Sequence, residues 1–541
     1  MKRICLLLLF VFTAVLMAAS QTLTSSNLPV IVINTNGQTI VDEPKITADM
    51  GIIYNGVGVR NNISDAFNHY NGKIGIEIRG QSSQMFPMKS YSIELQDNTG
   101  NSVDKSLFGL PKESDWVLYA PYTDKTLMRN FLAYTMSREM GHWASNCRYV
   151  EVILNGQYVG IYVFMEKIKR NSGRVNISKT AATDISGDAV TGGYIFSIDK
   201  EADGWFSSFP TPYSKKNQTI QFSYVYPKIT AIVPEQQQYI KSYVDSFENA
   251  LYHSDETARE NEWKNFADEA SFIDFFLVNE VSRNVDGYRL SSYFYKDRNS
   301  KNRKIFAGPV WDYDLAFRNA NYCSGSNTSG WGYQFNSTCG DDYWQIPFWW
   351  YKLMQSENFQ SSLRCRWKQL RQTTLSTGHI LSLIDSITSL TSEARVRHFQ
   401  KWPVLGQYVW PNPEPIATNY TGEIEFLKNW IEARFYWIEN NIPNVGFCYD
   451  YPANSKSTVM ISGAPNPVRN NYQLIIKSKT QQQIIITATD LAGRTVYSQL
   501  FTANTGYNQL TVPMQPWQKG LYIFRFISAS KEKIIQKVMK M

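Results

Sequence analysis

The stretch Tyr149–Met165, YVEVILNGQYVGIYVFM, contains two alternating apolar runs separated by Asn155-Gly156. Asn-Gly between such runs is a strong hairpin signal, because both residues tolerate the positive φ angles that a tight two-residue turn requires. Lys73–Arg79 (KIGIEIR) and Ser90–Leu95 (SYSIEL) alternate in the same way and predict two further strands. The first part of the chain is therefore predicted to be built around a β-sheet.

Apolar residues at helical spacing appear next. Asp124–Met140 predicts a helix with Asp124 as its N-cap and Gly141 as its stop. The same spacing predicts five later helices, at Gln236–Tyr252, Glu262–Val281, Trp349–Leu375, Ile380–His398 and Gly422–Asn441. Two short strands are predicted between them, at Ser292–Tyr295 and Lys304–Phe306. Residues 21–450 thus predict an α+β body, with an N-terminal lobe at about 21–170 and a mostly helical lobe at about 171–450.

The character of the chain changes after a linker at 451–458. Residues 459–541 contain short alternating runs separated by turn residues, which predict a small all-β sandwich. This segment carries ten Lys and Arg residues but only two acidic ones, so it accounts for all of the net charge of +7. The body has no basic stripe, and nucleic acid is not a predicted partner.

The first twenty residues have the pattern of a secretory signal peptide. Lys2 and Arg3 precede the apolar run Cys5–Ala18, and Ala18-Ala19-Ser20 supplies small residues for cleavage. A transmembrane anchor is the alternative, but the run is shorter than the roughly 20 residues that a spanning helix needs. We therefore expect a secreted or surface protein with no transmembrane segment in its mature chain.

Five cysteines remain once Cys5 is removed. No two of them form a CxxC pair, so a zinc site is not favoured. Cys323 and Cys339 bracket a loop rich in Gly, Ser and Asn and form the predicted disulfide, which an exported protein can retain. An odd number of cysteines leaves at least one thiol free.

The order of four features suggests phosphoryl transfer. A lysine at a strand entry (Lys89), a helix and a hairpin precede a helical region that carries Asp286 and then Asp312 and Asp314, as in two-lobed protein kinases. Such chemistry needs a cation on the phosphates, carboxylates for Mg²⁺ and a carboxylate facing the attacking hydroxyl. Alternation along an extended segment would point Asp312 and Asp314 to one side. Each feature also has a simpler interpretation: a surface lysine, an Asn-x-Asp-Gly turn and a calcium-binding or solvated Asp-x-Asp loop.

Several motifs resemble those of one family. They are Ile78–Ser83 (IRGQSS), Phe86–Tyr91 (FPMKSY), Leu127–Gly141, Gly160–Ile168, Asn279–Tyr288 with NVDGY, and Trp311–Phe317 (WDYDLAF). In this order they resemble the CotH-like (spore-coat H) atypical kinases, across about residues 28–440.

The resemblance implies a two-lobed, atypical protein-kinase-like domain. It implies the transfer of phosphate from ATP, with Mg (or Mn), to Ser or Thr of an exported or surface protein. By position, it assigns catalysis to Asp286, nucleotide binding to Lys89, Arg79 and Glu166, and metal binding to Asp312, Asp314 and Ser291.

Three positions depart from the family pattern. Ser291 stands where the family has an Asn that helps to hold the metal, Arg318 replaces a common Gly, and Met88 replaces a Lys. One alternative is therefore a catalytically weak or inactive pseudokinase that acts as a surface binding or structural protein. A glycoside hydrolase is a third hypothesis; it needs two facing carboxylates and leaves the lysine strand unexplained.

The C-terminal segment has its own resemblance. Pro465-Asn466-Pro467, Leu491–Arg494, Lys519–Ile523 and Gln536–Val538 are similar to the C-terminal sorting domain of type IX secretion substrates in Bacteroidetes. This resemblance implies that the segment engages the secretion machinery. A fibronectin-like adhesion module is the alternative for a sandwich of this size.

Overall fold

The computed structural model describes residues 23–200, 203–216, 218–445, 448, 459–478, 480–529 and 533–541. The predicted signal peptide and the linker at 451–458 lie outside these ranges. The chain divides into two compact units, Met1–Gly446 and Phe447–Met541. Across the described ranges, every helix is too short or too polar to cross a bilayer.

A closed β-barrel forms the first part of the first unit. The elements here are β1 (Ser25–Ser26), β2 (Val30–Asn34), β3 (Ile46–Ile53), β4 (Asn61–Asn62), β5 (Tyr70–Arg79), a 3₁₀ turn (Ser82–Met85), β6 (Ser90–Gln96), β7 (Asp115–Tyr119), α1 (Arg129–Glu139), β8 (Cys147–Leu154) and β9 (Gln157–Glu166). Seven of these strands form the barrel in the order β2-β3-β5-β6-β7-β9-β8, and parallel pairing of β2 with β8 closes it.

The predicted hairpin is confirmed as β8 and β9. Asn155 and Gly156 form its turn with φ angles of 50° and 76°. Val150 and Val152 point into the barrel, whereas Tyr149 belongs to the core outside it. Both faces of β8 are therefore buried, which explains its nearly continuous apolar sequence.

Helix α1 begins later than the sequence predicts. Asp124 lies in a turn, where its Oδ2 accepts a hydrogen bond of 2.8 Å from the backbone N–H of Arg129. Asp124 therefore satisfies the first N–H of the helix without being the adjacent N-cap. The predicted stop is confirmed, since Gly141 follows the helix with a φ of +100°.

A second sheet follows the barrel in the chain. Its strands are β10 (Tyr194–Ile198), β11 (Phe206–Pro210), β12 (Thr219–Tyr226), β13 (Ser292–Lys296) and β14 (Ile305–Ala307). They are arranged in the order β11-β12-β10-β13-β14. The sequence predicts the last two strands but not the first three. The first unit is thus a mixed α/β structure with strands in both of its predicted halves.

The helices of this region pack into the same core as α1 and the second sheet. They are α2 (Pro234–Tyr252), α3 (Glu256–Glu262), α4 (Glu269–Ser282), α5 (Phe335–Thr338), α6 (Trp349–Leu353), α7 (Glu357–Arg371), α8 (Thr377–Leu390), α9 (Ala394–Lys401) and α10 (Tyr420–Asn441).

Two predicted helices are each divided in two, and a third begins later than predicted. The predicted helix Trp349–Leu375 is α6 and α7, where Ser356 accepts a hydrogen bond from the Phe359 N–H and starts α7. The predicted helix Ile380–His398 is α8 and α9, because α8 ends at Leu390. In the predicted helix Glu262–Val281, Asp268 accepts a hydrogen bond from the Ser271 N–H and starts α4. Polar caps inside an apolar pattern restart a helix in a new direction, which periodicity alone does not reveal.

The second unit is all β, as predicted. It contains β15 (Val459–Ala464), β16 (Asn471–Ser478), β17 (Gln482–Thr489), β18 (Thr495–Ala503), β19 (Gly506–Pro513), β20 (Gly520–Ser528) and β21 (Lys533–Lys540). A three-stranded sheet, β15-β16-β19, and a four-stranded sheet, β18-β17-β20-β21, share one apolar core. Alternate residues such as Ile484 and Ile486 on β17 fill that core.

Candidate active site

A cavity of about 750 Å³ opens in the first unit, lined by barrel strands, the second sheet and loops of the helical region. Its volume is in the range of cavities that hold small-molecule ligands. Five of the seven predicted site residues line it: Arg79, Asp286, Ser291, Asp312 and Asp314. These residues come from distant segments of the chain, so only folding brings them together.

Asp286 lies in a tight turn that follows α4. The helix ends at Arg283, which has a left-handed φ of 44°. Asn284 then accepts a hydrogen bond of 3.2 Å from the backbone N–H of Asp286. Gly287 is required next, because a Cβ atom at this position would overlap the amide oxygen of Asn279. The turn thus presents Asp286 to the cavity from a closely packed backbone.

Helix α1 fixes the segment that carries Asp312 and Asp314. The backbone N–H of Asp312 donates to the Tyr134 hydroxyl (3.1 Å), and that of Tyr313 donates to Asn130 Oδ1 (2.6 Å). The expectation of an extended segment is wrong, since Asp312 has a left-handed φ of 65°. The two carboxylates nevertheless line the same cavity and lie close enough for the charge of Asp312 to act on Asp314.

Burial and like charge both act on these two carboxylates. The surface of Asp312 opens into the cavity, but protein surrounds it on its other sides. Burial first, and then the charge of Asp286, raise the pKa of Asp312 to about 6. Burial, followed by the charges of Asp312 and Asp124, raises the pKa of Asp314 well above its usual range. A cation placed beside the pair would relieve this repulsion.

Negative charge exceeds positive charge on the described cavity wall. Three cations, Arg79, Lys200 and Arg289, face seven aspartates: Asp42, Asp199, Asp203, Asp286, Asp312, Asp314 and Asp342. Carboxylate oxygens are the ligands that Mg²⁺ and Mn²⁺ prefer, so the donor set suits such an ion. The oxygens of Asp286, Asp312 and Asp314 do not form a ready triad within 4.8 Å among the described residues.

Asp199 is a cavity residue that the sequence analysis missed. It follows β10, and its Oδ2 accepts a hydrogen bond of 3.3 Å from the hydroxyl of Ser291. Burial raises the pKa of Asp199, and its charge helps to raise that of Asp312. The missed signal is the run Tyr194–Ile198, in which a short apolar strand ends at Asp199-Lys200.

Two cations of the cavity wall have distinct surroundings. The Arg79 guanidinium lies 5.3 Å from the centre of the Trp311 ring, and its buried Nη1 has no hydrogen-bond partner among the described residues. The ammonium of Lys200 donates to Ser82 Oγ (3.0 Å) and lies 5.5 Å from the Trp344 ring. Arg79 therefore retains a donor that an anionic ligand would satisfy.

Lys89 and Glu166 do not line the cavity. The Lys89 ammonium donates to the carbonyl of Gln84 and so supports the loop that follows β5. Glu166 is fully buried, and its Oε2 accepts hydrogen bonds from the backbone and side chain of Asn146. Its Oε1 lies 3.7 Å from Nε of Arg174. The structure thus places both side chains in supporting positions behind the wall.

The predicted Cys323–Cys339 disulfide is confirmed, with its Cα atoms 5.4 Å apart. Because the two sulfurs are bonded to each other, their grouping with Asp342 is not a metal site. Tyr322 and Asp342, beside the two cysteines, line the cavity. Residues on either side of the disulfide loop therefore form part of the wall. Cys147 is a free, buried thiol.

The chain thus combines a mixed α/β unit that contains an acidic cavity with an all-β unit. The CotH kinase protein family matches residues 76–438, so the chain belongs to that family. The secretion system C-terminal sorting domain matches residues 464–541. This second match implies export to the surface or the medium and interaction with the type IX secretion machinery. No curated protein matches the chain.

Proposed function

We propose that the first unit is a metal-dependent protein kinase that transfers phosphate from ATP to Ser or Thr of an exported or surface protein. One observation carries this proposal: Asp286, the Asp312–Asp314 pair and the cation Arg79 line the same cavity. Family membership supports it, because the matched residues include all of these groups. In this view the barrel acts as the nucleotide lobe and the helical region as the acceptor lobe.

The cavity residues divide into two tasks. Arg79, with its unpaired Nη1, and Lys200 would bind phosphate oxygens of ATP. Asp312 and Asp314 would hold Mg²⁺ or Mn²⁺, which neutralises charge on the phosphates when bound. Asp199, hydrogen-bonded to Ser291, supplies an oxygen near the position where the family's Asn is missing.

Asp286 is assigned the proton transfer. As the acceptor hydroxyl oxygen bonds to the γ-phosphorus, the bond from that phosphorus to the bridging oxygen breaks and ADP leaves. The hydroxyl proton passes to the carboxylate of Asp286. Its side chain is 20% exposed, so an acceptor that enters the cavity can reach it.

A second candidate is a binding protein without turnover. Ser291 in place of Asn and the position of Lys89 outside the cavity favour it. In that case the cavity would still bind a nucleotide with its metal, but phosphate would not be transferred.

Transfer of labelled phosphate from ATP to a generic acceptor, with Mg²⁺ or Mn²⁺, tests the proposal. Asp286→Asn should lower the rate by about 10²–10⁴-fold, the usual contribution of a general base. Asp341→Asn is the matched control, because this aspartate is exposed, does not line the cavity and pairs with Lys215. Equal labelling by the wild type and Asp286→Asn would refute catalysis by this residue. A metal-dependent thermal shift with ATP but no labelling would favour the second candidate.

The sorting domain leads to a separate proposal about location. We infer that the protein enters the periplasm through the predicted signal peptide and crosses the outer membrane through the type IX machinery. Deletion of residues 459–541 in a host with that machinery should leave the protein in the periplasm. Surface or medium localisation of the truncated protein would contradict this route.

A further inference from the structure

Arg289 is a buried cation whose guanidinium contacts both sides of the cavity wall. Its Nη2 donates to Asp286 Oδ1 (2.7 Å), and its Nε donates to the carbonyl of Val285 (2.9 Å). Its Nη1 donates to Asp342 Oδ1 (3.2 Å) and to the carbonyl of Trp344 (3.1 Å). The side chain is 2% exposed, so these partners, and not water, decide its orientation.

The position of Asp342 depends in turn on the disulfide loop. The backbone N–H of Asp342 donates to the carbonyl of Cys339 (2.9 Å), and Cys339 is bonded to Cys323. The Gln345 side chain donates to the carbonyls of Asp342 (2.6 Å) and Cys339 (3.2 Å). A continuous chain of contacts therefore runs from the disulfide through Asp342 and Arg289 to Asp286.

One cation bridges two carboxylates along this chain, so the group keeps a net negative charge. Arg289 faces one carboxylate on each side, so neither Asp286 nor Asp342 is left near the cavity without a cation. The hydrogen bond to Asp286 uses Oδ1 and leaves Oδ2 for an acceptor hydroxyl. A planar guanidinium held by four acceptors fixes the direction of a carboxylate far better than a flexible ammonium does.

We propose that Arg289 is a positioning residue that orients Asp286, and that Asp342, held by the Cys323–Cys339 disulfide, orients Arg289. The catalytic consequence rests on the proposed function, in which Asp286 accepts the hydroxyl proton. The positioning itself does not rest on the proposed function, because it concerns only how rigidly the turn that carries Asp286 is held. The disulfide then supports the cavity wall from behind, through Asp342 and Arg289.

Asp342→Asn is the sharpest variant, because it keeps the shape of the side chain and removes only its charge. Asp341→Asn is its matched control, one residue away, exposed and paired with Lys215. Hydrogen exchange of the turn 286–290 is the first readout, and the backbone amides of α4 provide the internal reference. Exchange in the turn should rise in Asp342→Asn and in Cys323→Ser/Cys339→Ser, and stay at the wild-type level in Asp341→Asn.

Phosphate transfer is the second readout. Asp342→Asn should lower kcat about tenfold, as loss of a supporting contact does, with the KM for ATP nearly unchanged. Arg289→Lys should retain part of the kcat that Arg289→Gln loses. The proposal would be overturned if Asp342→Asn and Asp341→Asn showed the same hydrogen exchange in the turn and the same kcat. If Asp286→Asn transfers phosphate as fast as the wild type, the proposed function fails, while the exchange result still decides the positioning.

Discussion

Two groups of buried charge lie near the end of α4 and differ in how their charges are balanced. In the first, Glu280 accepts hydrogen bonds at both oxygens, from the Tyr288 hydroxyl, the backbone N–H groups of Gly332 and Tyr333, and Arg434. Glu280 and Arg434 are both fully buried, at a separation of 3.1 Å. This pair is complete without any ligand.

The second group is the cavity set of Asp286, Asp312 and Asp314. After burial, the charge of Asp286 raises the pKa of Asp312, and the charge of Asp312 raises that of Asp314. The nearby Arg79 keeps a buried donor with no partner among the described residues. A protein normally satisfies its buried polar groups, and functional sites are among the places where exceptions occur. The comparison therefore separates a charge pair that is matched within the fold from a cavity wall on which carboxylates outnumber cations.

Removal of the Glu280 charge should have the largest effect on stability. Glu280→Gln leaves Arg434 buried without a counter-ion, which costs about 3–5 kcal/mol of unfolding free energy. Urea unfolding measures the loss, and Glu432→Gln, an exposed position on the same helix as Arg434, is the control. A loss no greater than that of the control would mean that the Glu280 pair is not a structural element.

Glu248 provides a third case, a buried carboxylate whose hydrogen bonds among the described residues come from the neutral groups of Ser207 and Trp349. Burial raises the pKa of Glu248 to about 7. The folded state then holds a proton more tightly than the unfolded state, so stability should fall as pH rises from about 4.5 through 7.

Glu248→Gln should remove that part of the pH dependence, with a difference of at most about 3 kcal/mol above pH 7. Chemical denaturation at several pH values measures it, and Glu432→Gln should keep the wild-type slope. A Glu248→Gln protein with the wild-type slope would show that another group causes the fall.

The cavity set should respond to mutation in the opposite sense from Glu280. Asp312→Asn removes one of the repelling charges, so stability in a metal-free buffer should stay the same or rise. The half-saturating Mn²⁺ concentration for thermal stabilisation should increase at least about tenfold. Asp341→Asn is again the control, and an unchanged Mn²⁺ response in Asp312→Asn would remove Asp312 from the proposed metal site.

The smallest effect separates the two lysines. Lys200 lines the cavity and Lys89 does not, so Lys200→Met should weaken ATP binding by about 1 kcal/mol, roughly five- to tenfold, through loss of one charged contact. Lys89→Met should act only through the loop that it supports and change binding less. Calorimetric titration measures the ATP affinity of both variants. A larger loss of affinity in Lys89→Met than in Lys200→Met would restore Lys89 as the nucleotide-binding lysine.

Local patterns explain which elements the sequence predicts correctly. The β8–β9 hairpin and the strands of the second unit depend on alternation and turn residues that lie close together in the chain. In contrast, β10 pairs with β13, where Tyr194 faces Lys296 from a distant segment. The apolar run Tyr194–Ile198 indicates a strand, but nothing local shows that it pairs with β13 or that Asp199 at its end reaches the cavity.

The candidate site shows the same limit. Motif order alone predicts Arg79, Asp286, Ser291, Asp312 and Asp314, all of which line the cavity. The side-chain directions of Lys89 and Glu166 depend on packing against Gln84 and Asn146, which motif order does not report. The bridge from Asp286 through Arg289 to Asp342 is likewise a product of tertiary contacts.

The sequence by itself indicated the family, the sorting domain, the Cys323–Cys339 disulfide and three of the seven aspartates of the cavity wall, because these depend on residue identity and order. The tertiary structure decided which cations face those acids and which carboxylates repel or support each other. The physical reason is that charge interactions depend on distance and burial, and folding sets both by joining segments that are remote in the chain.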